Sequence, residues 1–234
     1  SLAHKTMSPK LMSKLKQTIQ KGDRVSVEQL TLEWTRMGYS PARMVERPGA
    51  FSKRGGIIDI FTPGLVNPVR IELLGDEVES IREFDLNTQR SLKFIDHLTI
   101  FPASEVAPNC LDNRRKGLLL EETDFSGCNV PARDRITEEL DALAAGISFD
   151  HADYYSGYFN QHTLLDHVGY YGRALVVLCE PHEIDQSASD WSVHRDRIFQ
   201  EKLQQGELPK EFPANTVEWR KLARSIDSWS PVLR

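Results

Sequence analysis

The sequence predicts a protein of mixed α/β and α+β class. A small antiparallel or mixed sheet module with helices is expected to pack on an α/β layered domain. The length of 234 residues exceeds the commonest size of a single domain. Short strands on short turns fill the first half, whereas the second half places one apolar run among helices. We therefore expect a leader helix or connection over 1–22, a sheet module over 23–103 and a layered domain over 104–234.

The bulk composition is that of an ordinary globular protein, with 40% hydrophobic and 27% charged residues. No apolar run approaches the roughly 20 residues of a membrane helix. The chain starts at Ser1 without Met and without a secretory apolar segment, which suggests an excised fragment. Three cysteines without a C-x-x-C pair are typical of free thiols, so we expect a cytoplasmic protein.

The formal net charge of −5 is unevenly distributed along the chain. Residues 1–106 contain 15 Lys and Arg against 13 Asp and Glu, whereas residues 107–234 contain 14 against 21. Phosphate binding depends on clustered cations, so the acidic second half argues against broad contact with nucleic acid. The basic excess of the first half is too small to predict DNA binding.

Two helices are predicted near the start of the chain. The first begins at Pro9 and ends at Gly22. The second begins after Ser26, which has capping-box spacing, and ends at Gly38. The apolar faces comprise Leu11, Leu15 and Ile19 in the first helix and Val27, Leu30, Trp34 and Met37 in the second.

Three short apolar runs separated by turn residues predict an antiparallel meander. The runs are Ile57–Phe61, Val69–Leu74 and Val78–Phe84. Because side chains alternate along a strand, Arg70, Glu72 and Leu74 should share one face. That face would carry a cation, an anion and a leucine side by side, which suits a docking surface better than a core.

The second half contains predicted helices over 134–145, 191–203 and 216–226. Between them, the wholly apolar run 174–178 is typical of a strand buried on both faces. We expect Cys179, at the end of this strand, to be protected from thiol reagents. Cys110 and Cys128 lie in polar, turn-rich sequence and are expected to react readily.

Two segments of the first half carry a dense family pattern: FSKRGGIIDIF, at 51–61, and RIELLGDEVESIREFD, at 70–85. They resemble the second domain of the bacterial transcription-repair coupling factor family (Mfd), which is shared with the excision nuclease subunit UvrB. In the second half, TLLDHV at 163–168 and ALVVLCEPH at 174–182 resemble UvrB domain 1b. The departures are Thr62 before Pro63, Leu73 and Leu74 where paired aromatic residues are usual, and Cys179 and Pro181 where UvrB has Asp and Ser.

The resemblance implies a protein-docking fragment that recruits UvrA of nucleotide excision repair to stalled RNA polymerase. The implied UvrA-binding residues are Arg54, Arg70, Glu72 and Leu74. RNA polymerase and DNA would be partners of the full-length parent, which resembles an ATP-dependent DNA translocase, and not of this fragment. Since exposed strand charges contribute little to stability, we expect charge reversal at Arg54 or Arg70 to leave folding intact. No catalytic residue, cofactor, metal or membrane contact is implied here.

Three alternatives remain. The first is a piece of a UvrB-type excision nuclease or helicase with ATPase function; against it, Cys179 is a poor ligand for magnesium and no G-x-x-x-x-G-K-[ST] loop is present. The second is a helicase-like repeat that binds no partner, and the third is that the strand charges serve solubility alone. Asp59 is expected to accept backbone N–H bonds at a turn, and the histidine spacings match no metal motif.

Overall fold

A computed structural model describes residues 2–106, 118–147, 149–172, 174–228 and 232–233. The chain divides into two compact units. The sheet unit comprises Lys10–Cys110, and the helical unit comprises Ser1–Pro9 together with Leu111–Arg234. The sequence predicts domain boundaries after residues 22 and 103, whereas the two units divide after residues 9 and 110. The mixed α/β and α+β class expected from the sequence is confirmed.

The elements of the sheet unit are α1 (Pro9–Leu15), β1 (Gln17–Gln20), α2 (Val27–Arg36), β2 (Ser40–Pro41), β3 (Ala50–Arg54), β4 (Ile57–Phe61), β5 (Val69–Leu74), β6 (Glu77–Phe84), β7 (Ser91–Phe94) and β8 (His97–Ile100). β1 pairs with β8 in a two-stranded antiparallel sheet, and the other strands form a six-stranded sheet in the order β2, β3, β4, β5, β6, β7. All neighbours in the larger sheet are antiparallel except β2 and β3.

The first helix is shorter than predicted. It ends at Leu15, and Ile19 lies in β1 opposite Leu98 of β8. Both of these side chains are buried in the core of the sheet unit. The apolar spacing of Leu11, Leu15 and Ile19 fits a helix, but pairing with a strand far along the chain buries the β-branched Ile19 as well. The sequence pattern alone does not contain that distant partner.

The second helix begins as predicted. Ser26 caps α2, and its hydroxyl accepts a hydrogen bond from the backbone N–H of Gln29 at 3.3 Å. Trp34 is completely buried, and its ring centroid lies 5.7 Å from that of Phe51 in an edge-on contact. This helix therefore packs on one face of the six-stranded sheet through the side chains that the sequence pattern indicated.

The predicted meander is confirmed nearly residue for residue. β4 and β5 have the predicted bounds, and β6 begins one residue earlier, at Glu77. The register places Ile58 opposite Ile71 and Ile60 opposite Val69. These four side chains are completely buried against α2. We call this the inner face of the sheet.

The helical unit is built around α3 (Val130–Ala145), capped by Asn129 and ended by Gly146 in the left-handed conformation. Its inward side chains are the predicted Ile136, Leu140 and Leu143, all buried. The other elements are a 3₁₀ turn (Ala152–Tyr155), α4 (Ser156–Phe159), α5 (Leu164–Tyr171), β9 (Val176–Val177), α6 (Pro181–Gln204), α7 (Trp219–Asp227) and β10 (Val232–Leu233). None of the helices in the described ranges has the length and apolar character needed to cross a bilayer.

The predicted strand over 174–178 is wrong in both length and burial. Only Val176–Val177 form β9, which pairs in parallel with β10, and Leu175 and Val177 are more than half exposed. Cys179 is exposed, whereas Cys128 is partly buried, and burial raises the pKa of the Cys128 thiol. The expected protection of Cys179 is therefore wrong. Cys110 lies outside the described residues. An apolar run predicts a buried strand only where layers cover both of its sides.

Candidate functional site

The four predicted site residues lie on the sheet face opposite the inner face. Cross-strand register places Asp59 opposite Arg70, Arg70 opposite Arg82 and Arg82 opposite Phe94. A second row contains Arg54, Ile57, Glu72 and Ser80. The β5–β6 register shifts between Glu72 and Leu73, but Leu73 packs against the core, so the next residue, Leu74, lies on the same side as Glu72. We call this surface the outer face; it comprises Arg54, Asp59, Arg70, Glu72, Leu74, Arg82 and Phe94.

A buried carboxylate joins the two predicted arginines. Asp59 is only 2% exposed, and its oxygens accept two hydrogen bonds from Arg70, from Nε at 2.6 Å and from Nη2 at 2.9 Å. Arg54 Nη2 donates to the same carboxylate at 3.0 Å. The expected role of Asp59, accepting backbone N–H bonds at a turn, is therefore wrong. The carboxylate instead accepts from charged side chains on both neighbouring strands.

Arg70 is enclosed by its partners. Its guanidinium carbon lies 4.5 Å from the ring centroid of Phe84, and Nη2 donates to Gln89 Oε1 at 3.2 Å. Hydrogen bonding to Asp59 raises the pKa of Arg70 above its ordinary value. The side chain is 13% exposed. Arg70 is therefore a largely enclosed cation whose charge is balanced inside the sheet unit.

Glu72 forms a second internally balanced pair. Arg82 donates to both of its carboxylate oxygens, one of them at 2.9 Å, and Ser80 Oγ donates at 2.7 Å. This two-pronged geometry matches the fork of the guanidinium to the carboxylate. Among the described residues, Arg82 Nε is a buried polar side-chain atom without a hydrogen-bond partner. Most of the charge at the centre of the outer face is thus neutralised within the face.

Three outer-face side chains are largely available to a partner. The Arg54 side chain is 53% exposed, and Leu74 and Phe94 are 73% and 72% exposed. An exposed arginine fork and two exposed apolar groups therefore border a neutralised centre. Sequence reasoning missed Phe94 and Arg82. The short run Ser91–Phe94 was a usable strand signal, but an irregularity between Glu83 and Phe84 shifts the β6–β7 register and hides which side Phe94 would face.

The described residues contain no group of three or more His, Cys, Asp and Glu side chains arranged to hold a metal ion. The arrangement on the outer face is suited to protein recognition. A guanidinium with free donors can pair with a carboxylate, and exposed leucine and phenylalanine side chains can enter apolar pockets. Aromatic residues and arginine are among the residues enriched in protein interfaces, and the outer face carries one exposed residue of each kind, Phe94 and Arg54.

Comparison with known proteins matches residues 18–106 to the family model of the UvrB interaction domain. The transcription-repair-coupling factor of Bacillus subtilis is 31% identical over 208 residues, which are 89% of this chain and 17% of that protein. The chain is a homologue of the transcription-repair-coupling factors and contains a UvrB interaction domain. The Myxococcus xanthus factor is 32% identical over 147 residues, 63% of this chain and 12% of that protein.

A shorter match to another relative has a higher identity. The factor of Staphylococcus aureus strain MRSA252 is 44% identical over 88 residues, 38% of this chain and 7% of that protein. The chain thus spans about a sixth or less of the length of these relatives. All outer-face residues fall within the matched range of the UvrB interaction domain.

Proposed function

We propose that the outer face of the UvrB interaction domain docks UvrA, the nucleotide excision repair partner that the sequence resemblance implies. The observation that carries this proposal is the position of all four predicted residues on one face, which also carries Phe94 and lies within the matched range. Charged residues that served solubility alone would not need the buried Asp59 to organise them.

The proposed roles differ among the four residues. Arg54 offers exposed donors to an acidic group of UvrA, whereas Arg70 and Glu72 are largely occupied by Asp59 and Arg82. Leu74 is the apolar contact at one end of the face. Phe94 adds a second apolar contact on the edge strand β7 and supplies the aromatic ring that Leu73 and Leu74 lack.

In the longer parent protein, docking would bring UvrA to stalled RNA polymerase in the cytoplasm, while other regions contact polymerase and DNA. The name of the relatives, transcription-repair-coupling factor, supports this wider role. Its test is co-purification of UvrA with stalled polymerase complexes and the parent protein. Recovery of UvrA that does not change when Arg54 is reversed to Glu would contradict it.

We propose that this part of the protein performs no ATPase chemistry. Cys179 and Pro181 replace the Asp and Ser of the UvrB acidic motif, and Cys179 is an exposed thiol that precedes α6 by two residues. A thiol is a soft ligand and magnesium prefers oxygen. Calorimetric titration with Mg-ATP is expected to show no binding, and saturable binding near micromolar concentration would overturn this proposal.

Removal of the exposed apolar groups tests the docking proposal. Leu74→Ser and Phe94→Ser are each expected to weaken UvrA binding about tenfold, because each loses apolar area that the partner would cover. Leu32→Ser is the control, since Leu32 is an exposed leucine on α2, the helix that packs on the inner face. Affinities are measured by calorimetry with purified UvrA. Equal binding by wild type and both outer-face variants would contradict the docking proposal.

A further inference from the structure

Asp59 is a buried acidic residue that no turn or cap requires. It lies in the middle of β4, is 2% exposed and accepts side-chain hydrogen bonds from two neighbouring strands. One of its donors, Arg70, is enclosed, while the other, Arg54, is half-exposed. A buried carboxylate is costly unless it is paired, so its presence in a strand interior requires an enclosed cation, which Arg70 provides.

We infer that Asp59 is a positioning residue for UvrA binding, which holds the Arg54 guanidinium ready for the partner. This inference rests on the proposed docking function. Arg70 supplies the enclosed counter-charge that holds the Asp59 carboxylate in place, through hydrogen bonds of 2.6 and 2.9 Å. Arg54 uses one nitrogen, Nη2, on the carboxylate, so its other donors remain available to a partner.

The physical reason is the conformational freedom of a long side chain. An exposed arginine populates many rotamers, and a partner that binds only one of them must remove that freedom on association. The bond to a fixed, buried carboxylate removes part of the freedom before the partner arrives. Asp59 therefore favours binding without touching UvrA.

Substitution of Asp59 by Asn provides the test. Asn keeps the shape but presents an N–H₂ group, which cannot accept a hydrogen bond from either arginine at that atom. UvrA affinity is expected to fall about tenfold in folded Asp59→Asn protein. The same measurement is made for Arg54→Gln and for the double variant. Arg54→Gln should cost much less affinity in the Asp59→Asn background than in the wild-type background.

If Asp59 contributed to stability alone, Arg54→Gln would lower the UvrA affinity by the same factor in both backgrounds. That result would overturn the inference. Unchanged affinity in folded Asp59→Asn protein would overturn it as well. If Arg54→Gln has no effect in the wild-type background, the docking proposal itself fails. If Arg54→Gln weakens binding but Asp59→Asn does not, the docking proposal stands and only the positioning role fails.

Should Asp59→Asn not fold, the wild-type protein supplies a second measurement. Nuclear magnetic resonance of the arginine side chains is expected to show slower guanidinium rotation for Arg54 than for Arg47. Arg47 is an exposed arginine for which the described residues offer no side-chain partner. Equal rotation rates for the two would overturn the positioning role, because Asp59 would then not restrict Arg54.

Discussion

The two faces of the six-stranded sheet bury their residues for opposite reasons. On the inner face, Ile58, Ile60, Val69 and Ile71 are apolar and pack against α2. On the outer face, Asp59 and Arg70 are nearly as enclosed, but they are charged and satisfy each other. Burial on the inner face is favoured by the hydrophobic effect, whereas burial on the outer face is possible because the charges are paired.

The difference separates stability from recognition. Apolar burial tolerates changes in the shape of the neighbouring side chains, but a buried carboxylate without its guanidinium is strongly unfavourable. The Asp59–Arg70 pair therefore fixes side-chain geometry on the outer face more than it adds net stability. The side chains left exposed around it, Arg54, Leu74 and Phe94, are the ones available to a partner.

The largest expected effect is the loss of stability on charge reversal at Arg70. Arg70→Glu would place a second carboxylate against buried Asp59, so we expect the free energy of unfolding to fall by about 3–5 kcal/mol. This differs from the sequence-based expectation that both reversals leave folding intact, because Arg70 is enclosed. Urea unfolding followed by circular dichroism measures the loss.

Arg54→Glu is the matched reversal for this measurement. The Arg54 side chain is half-exposed, so we expect Arg54→Glu to lower the free energy of unfolding by no more than about 1 kcal/mol. Similar losses for the two variants would show that the enclosure of Arg70 does not contribute to stability. The comparison also determines which reversal is usable in binding experiments.

A smaller loss of stability is expected at high pH from Tyr39, in the core of the sheet unit. Burial raises the pKa of Tyr39 to about 12, and its hydroxyl donates to the Phe101 carbonyl oxygen at 2.7 Å. Because the folded state holds this proton more tightly than the unfolded state, the stabilisation is complete below pH 10 and declines as the pH rises towards 12. The decline should reach about 2 kcal/mol.

Tyr39→Phe isolates this contribution, because Tyr39 is the sole tyrosine between residues 10 and 110. The variant should be less stable than wild type near neutral pH, and it should lose less additional stability between pH 10 and 12. Urea unfolding at several pH values measures both. A decline of the same size in wild type and variant would assign the alkaline transition to other groups.

The meander could be predicted from sequence because its period-two pattern and turn residues are local. The same pattern placed Arg70, Glu72 and Leu74 on one face correctly. Ile19 and the run 174–178 were mispredicted because their burial depends on distant partners or covering layers. The hydrogen bonds that Asp59 accepts from Arg54 and Arg70 depend on the cross-strand register, and the pattern of a single strand does not predict that register.

The central claim is that the outer face binds UvrA, and Arg54 tests it most directly. Arg54→Glu is expected to weaken UvrA binding by at least about 2 kcal/mol, roughly thirtyfold, because it replaces an exposed donor fork with a repelling carboxylate. Arg36→Glu makes the same charge change at an exposed site on α2 and should alter the affinity less than about threefold. Calorimetry with purified UvrA, on variants confirmed as folded by circular dichroism, measures both affinities. Wild-type affinity in folded Arg54→Glu protein would contradict the claim.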